Sequence, residues 1–564
     1  MGYFSEYAVF LSSIYRYDKL RNMESSLWIK KKKKHMMLPW KKKKLLALLD
    51  SEFGQEPEKD YFAGDMDRIR TYYDACRDNR LDPFYVDDTT WNDLDMDKVY
   101  RRINACQCTA GEQYLYYMLR RPMNRETWEY QHGLIGLMEK DPDTRKNLQL
   151  LFRRIGCPRT IDLTTAFHPK DSSPLWLIIY IAMGALLVAA LFLAGVLGPV
   201  PLLAAFFLNI FVHQSQRLKC EYEINRVNYC VALILTLNRI RSLKLPGIDP
   251  YLEEAYSHLA PMSRILRSGP VMSTMNSDVF QSLMMVTFMT DMISFELLKK
   301  RLAKYHDHFL AVHEAIGRLD AAIAVSSWRA GLETRCDPEI DFEADHPYIR
   351  AEGIVHPLLK KPVPNDLMPE KSMLITGSNA SGKSTYLRTA VITALTAQCL
   401  CTGACRSYKA SPFRMYTSMA LADDLLAGES YFITEIKSLK RILDAQDGEG
   451  FLLCAVDEVL RGTNTIERIS ASAEVLKALS RPGTLCLIAT HDSELNALSG
   501  GAYQLAHFEE TVTDTGILFD YTLKPGPAET RNAIHLLKLM GFDSDIVTAA
   551  HDRADRYVQT GKWE

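Results

Sequence analysis

Three groups of residues in this chain have the types and spacing needed to handle a nucleoside triphosphate. The first is Gly377-Ser-Asn-Ala-Ser-Gly-Lys-Ser384, followed by Thr385, which fits the spacing G-x-x-x-x-G-K-[ST]. Glycines in such a loop let backbone N–H groups curl around phosphate oxygens, and the following helix adds its positive end. Gly377, Ser378, Asn379, Ala380, Ser381, Gly382, Lys383, Ser384 and Thr385 are therefore the expected nucleotide-binding residues. Lys383 is expected to reach the β- and γ-phosphates, and Ser384 to place its hydroxyl on Mg²⁺. The second group is Asp457-Glu458, two adjacent acids closing an apolar run. Asp457 suits a magnesium held through water, and Glu458 suits polarising the attacking water. The third is His491, placed to sense the γ-phosphate or its water.

This chemistry needs rigid elements behind it. Met373 to Ile375 reads as a buried strand, and Tyr386 to Leu400 as a helix without Pro or Gly, which gives the order strand, glycine loop, helix. Phe451 to Val456 and Thr484 to Thr490 read as two more buried strands with polar tips. Ligands collect at the carboxyl ends of parallel strands, so all three groups point to one place.

The chain has 564 residues, enough for several domains. A formal net charge of −2 excludes a bulk electrostatic pull on nucleic acid or membrane, so any such attraction must be local. The twelve cysteines contain no C-x-x-C pair, and Cys399, Cys401 and Cys405 are expected to be reduced, packing thiols of a cytosolic protein. Residues 1–27 lack a basic start and a long apolar run, so no signal peptide is expected. Two lysine blocks, Lys30 to Lys34 and Lys41 to Lys44, flank His35 to Trp40. They read as a solvated, mobile arm, as an anchor to anionic lipid, or as a phosphate-backbone contact.

Ser172 to Gln216 contains no Asp, Glu, Lys or Arg. Leu175 to Leu197 is almost wholly apolar and, at about 1.5 Å per residue, long enough for roughly 30 Å of hydrocarbon. Gly198-Pro-Val-Pro201 is a turn, and Leu202 to Val212 is a second, shorter apolar run. The expectation is a transmembrane hairpin over residues 174–213 with both ends inside, flanked by Lys170, Arg217 and Lys219. The alternative is a buried helical hairpin. Glu221 to about Glu333 has apolar residues every three or four positions and reads as long antiparallel helices, with short strands and turns from about Asp341.

Taken in order, these segments resemble the MutS DNA mismatch repair ATPases, a branch of the ABC-type ATPases. The resemblance rests on the 376–385 loop, on Ala422-Asp-Asp-Leu-Leu-Ala-Gly-Glu-Ser-Tyr-Phe432, on Asp457-Glu-Val-Leu-Arg-Gly-Thr-Asn464 and on Ala489-Thr-His491. His356-Pro357 and Val363-Pro-Asn-Asp366 precede the loop as in that family, and Gly111 to Pro122 and Arg318 to Ser326 look like its core helices. The similarity extends over roughly 85–165 and 217–564. It implies a homodimer with composite ATP sites, in which Ser430 reaches the partner's γ-phosphate and Asn379 touches nucleotide. It also implies DNA, mismatched or branched, as a partner.

The departures are equally specific. No segment resembles the family's mismatch-reading domain, no clamp insertion is apparent, and Pro362 stands where many members stack an aromatic ring on adenine. The expected organisation is a basic arm (1–80), a first helical core part (81–170), the transmembrane hairpin (171–216), a second core or lever part (217–340) and the ATPase domain (341–564). The fold class is an α/β P-loop ATPase domain of ABC/MutS type joined to an all-α core. The expected function is an Mg-ATP-hydrolysing, DNA-binding ATPase at the cytoplasmic membrane, its ATPase facing the cytoplasm. The alternative is a membrane-anchored ABC-type ATPase acting in recombination control or membrane remodelling without mismatch recognition. Leu498-Ser-Gly-Gly501 resembles a transporter signature but follows the Asp-Glu pair instead of preceding it. A non-enzymatic scaffold conflicts with the intact Lys383, Asp457 and Glu458.

Overall fold

The computed structural model describes residues 39–79, 81–158, 174–267, 285, 287–378, 381–419, 431–461, 463–513, 516–527, 534, 537 and 541–560. The chain divides into a helical unit (residues 1–81, 103–117 and 133–331) and a mixed unit (82–102, 118–132 and 332–564). The first lysine block lies outside the described residues. The second falls within helix α1 (Pro39–Glu52), where Lys42 to Lys44 are exposed and Leu49 is buried.

Helices follow in close succession: α2 (Asp65–Asp78), α3 (Asp88–Asp93), α4 (Met96–Ile103), α5 (Thr109–Arg120), α6 (Arg125–Lys140) and α7 (Pro142–Ile155). Their ends are written locally. Asp87 caps α3 by accepting from Thr90 N at 2.8 Å. Asp141 caps α7 with Pro142 in its first turn, and Gly156, at φ 73°, ends it. Then come α8 (Pro174–Leu197), α9 (Val200–Leu243), α10 (Asp249–Ser257), α11 (Thr290–Lys304) and α12 (His306–Gly331).

In the helical unit, α12 crosses the start of α5 closely. A Cβ at Gly317 would stand 2.7 Å from Ala110 O, and one at Gly111 would collide with Asp320. Asp320 in turn accepts from the N–H groups of Gln107 (2.8 Å) and Cys108 (2.9 Å), where α5 begins. Leu298, Leu302 and Phe309 are buried as the apolar spacing predicts; each such side chain adds about 2 kcal/mol.

The apolar stretch departs from expectation. Helices α8 and α9 pack as a pair through Leu187, Ala190 and Ala205, with the turn at Gly198 (φ 78°). However, Leu202 to Val212 is not a helix of its own. It is the opening of α9, a helix of 44 residues that continues through the expected boundary at 216/217 to Leu243. Nothing from Leu202 to Leu243 is Gly or Pro, so the change from apolar to charged residues leaves the backbone ladder unbroken. Among the described residues only Leu175–Leu197 is long and apolar enough to cross a membrane.

The mixed unit carries two sheets. The smaller has β1 (Glu339–Ile340), β2 (Ile349–Ile354), β3 (Asn365–Leu367) and β5 (Ser407–Ala410) in the order β1-β5-β2-β3. The larger contains β4 (Met373–Thr376), β6 (Phe413–Ser418), β7 (Phe451–Asp457), β8 (Thr484–Thr490), β9 (Gln504–His507) and β12 (Lys524–Pro525). Its order is β12-β9-β4-β8-β7-β6, parallel except for the β12 edge. β4 and β8 are buried at every position, as strands covered on both faces must be. Helices α13 (Lys383–Leu400), α14 (Tyr431–Ala445), α15 (Thr465–Leu479), α16 (Glu494–Leu498) and α17 (Ser544–Thr560) and the hairpin of β10 (Glu510–Thr513) and β11 (Gly516–Phe519) complete it.

The expected boundary near 341 is corrected as well. Residues 82–102 and 118–132 join the mixed unit, where Asp93 accepts from Thr417 Oγ1 (2.7 Å) and Met419 N (3.1 Å). Cys399, Cys401 and Cys405 are buried thiols outside any disulfide, but Cys454 and Cys486, register partners on β7 and β8, are joined as a disulfide. Their pairing depends on strand register, which no local spacing of cysteines reveals.

Candidate functional site

The glycine loop leaves β4 and enters α13. Gly377 sits at φ 145°, where a Cβ would lie 2.5 Å from Phe508 O, and Gly382 sits at φ 109° as the residue before the helix. Both positions therefore require glycine. Lys383 is 4% exposed, and its Nζ donates to Gly377 O and Ser378 O, each at 2.7 Å. The side chain thus folds across its own loop. Burial pushes its ammonium down, and the carboxylates of Glu458 and Asp457 oppose this. Ser378 Oγ donates to Glu510 Oε2 at 2.7 Å. Among the described residues Ser381 Oγ, which is buried, has no hydrogen-bond partner, while Ser384 and Thr385 are exposed in the first turn of α13. Asn379, Ala380 and Ser430 lie outside the described residues.

The acids stand at the end of β7, whose register sets Asp457 beside Ala489 of β8. Glu458 has φ 64° and Leu460 φ 60°. Left-handed geometry at a non-glycine residue costs about 1–3 kcal/mol and persists only where neighbours hold it. They do: Glu458 N donates to Ala489 O at 2.8 Å, and Leu460 N to Glu435 Oε1 at 2.5 Å. His491 Nδ1 lies 3.3 Å from Glu458 Oε2, and Arg461 Nε lies 2.5 Å from the same oxygen. Burial alone would push the Glu458 carboxyl up; the His491 hydrogen bond and the Arg461 charge overcome it and hold the carboxyl low. The Glu458 hydrogen bond likewise raises His491. The expected Lys383, Asp457, Glu458 and His491 therefore converge. A small cavity at this end is lined by Asp93, Met419, Glu435, Ser438, Asp457 and Glu458.

Four participants escaped the sequence reading. Arg461 lies within the quoted 457–464 run, and its position one turn beyond the acids was an available signal. Glu435 and Glu510 approach from elements distant in sequence. Tyr521 carried no local signal at all: its ring carbon lies 3.2 Å from where a Cβ of Gly382 would stand, and it stacks with Phe519. Asn365, beside Pro364, holds the connection between β11 and β12 by donating to Tyr521 O (2.9 Å) and accepting from Leu523 N (2.7 Å). Leu498 to Gly501 is a helix-ending turn with Gly500 and Gly501 at positive φ, not a phosphate-facing segment.

The residues present fit a nucleotide with magnesium. A cradle that only glycine permits, a buried ammonium satisfied by loop carbonyls, and an orphaned Ser381 hydroxyl all await oxygen ligands. Among the described residues no group of three or more His, Cys, Asp or Glu could hold a metal. Magnesium at Ser384 and Asp457 would thus depend on phosphate oxygens and water, its ordinary preference.

A phosphate cradle, an acid pair and a histidine on the ends of three adjacent parallel strands define a P-loop ATPase domain. Residues 373–557 match the family model described as MutS domain V. Similar curated proteins include the DNA mismatch repair protein MutS of Natronomonas pharaonis, 32% identical over 276 residues, covering 47% of this chain and 31% of that protein. The DNA mismatch repair protein MutS 2 of Haloarcula marismortui is 33% identical over 197 residues, 33% of this chain and 20% of that one. The MutS of Geobacillus thermodenitrificans is 28% identical over 274 residues, 46% and 29%. The chain therefore spans less than a third of the length of these relatives.

Proposed function

We propose that this protein hydrolyses Mg-ATP, works as a homodimer with composite sites, acts on DNA, and is held at a membrane. The convergence of Lys383, Asp457, Glu458 and His491 at the carboxyl ends of the interior strands β4, β7 and β8 carries the reading. Bound magnesium would supply charge neutralisation between the phosphates. Lys383 exchanges its loop carbonyls for phosphate oxygens, and Glu458 accepts a proton from water while His491 and Arg461 keep its carboxylate ionised. Tyr521 offers a ring for the base, the role that Pro362 cannot fill. Ser430 completes the partner's site. DNA as the partner follows from the relatives' names, and mismatched or branched duplexes are the forms to try.

The membrane anchor rests on α8. Phe192 and Val196 are 77% and 84% exposed, and Leu191, Phe207 and Phe211 also face outward. Exposed apolar surface of that extent marks a protein or lipid contact. The anchor is α8 with the opening of α9 as its return arm, and the ATPase unit lies on the cytoplasmic side, where ATP is. The same surface favours a second reading, a membrane-bound ABC-type ATPase in recombination control or membrane remodelling. ATPase assays of the full chain with no DNA, duplex, mismatched and branched DNA decide between them. Stimulation by one DNA form supports the first; a rate indifferent to DNA but raised by lipid vesicles supports the second.

A further inference from the structure

The turn that presents Glu458 has left-handed φ angles at Glu458 and Leu460 and leans on partners outside it. Glu458 N donates to Ala489 O at 2.8 Å, and Ser472 Oγ donates to Val459 O at 3.2 Å. One side chain receives two further N–H groups, those of Leu460 and Arg461. Glu435, 8% exposed on α14, accepts from Leu460 N at 2.5 Å through Oε1 and from Arg461 N at 3.3 and 3.2 Å through Oε1 and Oε2. Arg461 then turns back to pair with Glu458 at 2.5 Å and donates to Asp457 O at 3.3 Å. A buried carboxylate that receives successive backbone N–H groups fixes a loop as a helix cap fixes a helix start.

We propose that Glu435 is a positioning residue of the hydrolysis step: by holding the turn from Glu458 to Arg461, it aims the Glu458 carboxylate. This rests on the ATPase reading above. It also gives that reading a route between subunits. Glu435 lies in the first two turns of α14, and α14 begins at Tyr431, immediately after Ser430. A helix is stiff, so displacement of its start on engaging a partner's nucleotide displaces Glu435 and with it the turn bearing Glu458.

The test uses the full chain and three proteins: wild type, Glu435→Ala and Glu435→Gln. Wild-type turnover, measured first, judges the ATPase reading independently of Glu435. The expected result for Glu435→Ala is a fall in kcat of about thirtyfold or more, short of the roughly hundredfold that losing the general base itself would cost. Fluorescent-nucleotide Kd should stay within about threefold, since the phosphate loop is untouched. The acid limb of its pH profile should move upward as Arg461 loosens from Glu458. Glu435→Gln keeps one acceptor oxygen and should recover part of kcat. Unchanged kcat in Glu435→Ala overturns the proposal. So does a parallel loss of kcat, affinity and thermal stability that Gln does not relieve, because that pattern belongs to a merely structural residue. Should the Ala variant fail to fold, Glu435→Gln alone decides: reduced kcat at wild-type affinity supports the proposal, and wild-type kcat with a wild-type pH profile overturns it.

Discussion

His491 Nδ1 and Glu458 Oε2 lie 3.3 Å apart, joining the tips of two neighbouring strands, β8 and β7. The pair explains why Glu458 stays ionised although it is largely buried: the imidazole and Arg461 overcome the burial that would push it up. Glu458→Gln should bind Mg-ATP normally and turn over about a hundredfold more slowly. His491→Ala should release the Glu458 carboxyl upward. Because that base works only when ionised, the acid limb of kcat/KM should move to higher pH. An unmoved limb would remove His491 from the control of Glu458.

Composite sites predict complementation. Mixing Lys383→Ala with Ser430→Ala subunits should leave some sites with both defects and others with neither. ATPase activity of the mixture should then exceed that of either variant alone. Heterodimers that are demonstrably formed yet never exceed their parents would place Ser430 in its own subunit's site.

Tyr521 is expected to carry nucleotide affinity. Removing an aromatic platform from a stacked base costs about 1–3 kcal/mol. Tyr521→Ala should therefore weaken ATP binding about tenfold or more, while Tyr521→Phe, which keeps the ring, should not. Equal Kd for the Ala variant and wild type in a nucleotide titration would leave Tyr521 as a spacer against Gly382.

Asp320 makes the helical unit pH-sensitive. Burial pushes its carboxyl up to about 6 from the ordinary 3.8, against the pull of the Cys108 and Gln107 N–H groups. Between those values the folded chain binds a proton that the unfolded chain has lost, so stability falls as pH rises through the window. The full loss, reached above about pH 6, is about 3 kcal/mol. His313, lowered to about 4 by burial, titrates in the opposite sense but is common to wild type and variant. Asp320→Asn should therefore gain on wild type in urea unfolding as pH goes from 4 to 7. A constant difference between the two across that range would disprove the assignment.

The membrane anchor predicts a protein that sediments with membranes and resists carbonate extraction. Gly198→Cys should react with an impermeant thiol reagent in intact cells, and Ser172→Cys should not. Monodisperse protein in detergent-free buffer after carbonate treatment would return α8 to a contact within or between proteins.

Local signals carried much of this structure. The P-loop, the β7 strand and the β8 strand were legible because phosphate binding imposes fixed spacing on Gly377, Gly382 and Lys383, and because buried parallel strands are apolar throughout. What escaped was tertiary. Glu435 meets Leu460 and Arg461 across a helix–turn contact, and Tyr521 meets Gly382 from a connection far along the chain; no window of sequence contains both partners. Cys454 and Cys486 were hidden for the same reason, since register alone makes them neighbours. The boundary drawn after Gln216 failed differently. It took a change of solvent for a change of backbone, whereas a helix ladder is indifferent to whether its side chains are Phe207 or Arg217.

That indifference has a mechanical consequence. Helix α9 is a single unbroken rod of 44 residues, about 66 Å from end to end. It begins among apolar side chains such as Phe207 and Phe211 and ends among the buried Leu233, Ile234 and Leu237. A rod without a joint cannot absorb motion at one end: a tilt of about 5° displaces the far end by roughly 6 Å over that length. Whatever grips the exposed start of α9, the helices packed on its other end register it as movement.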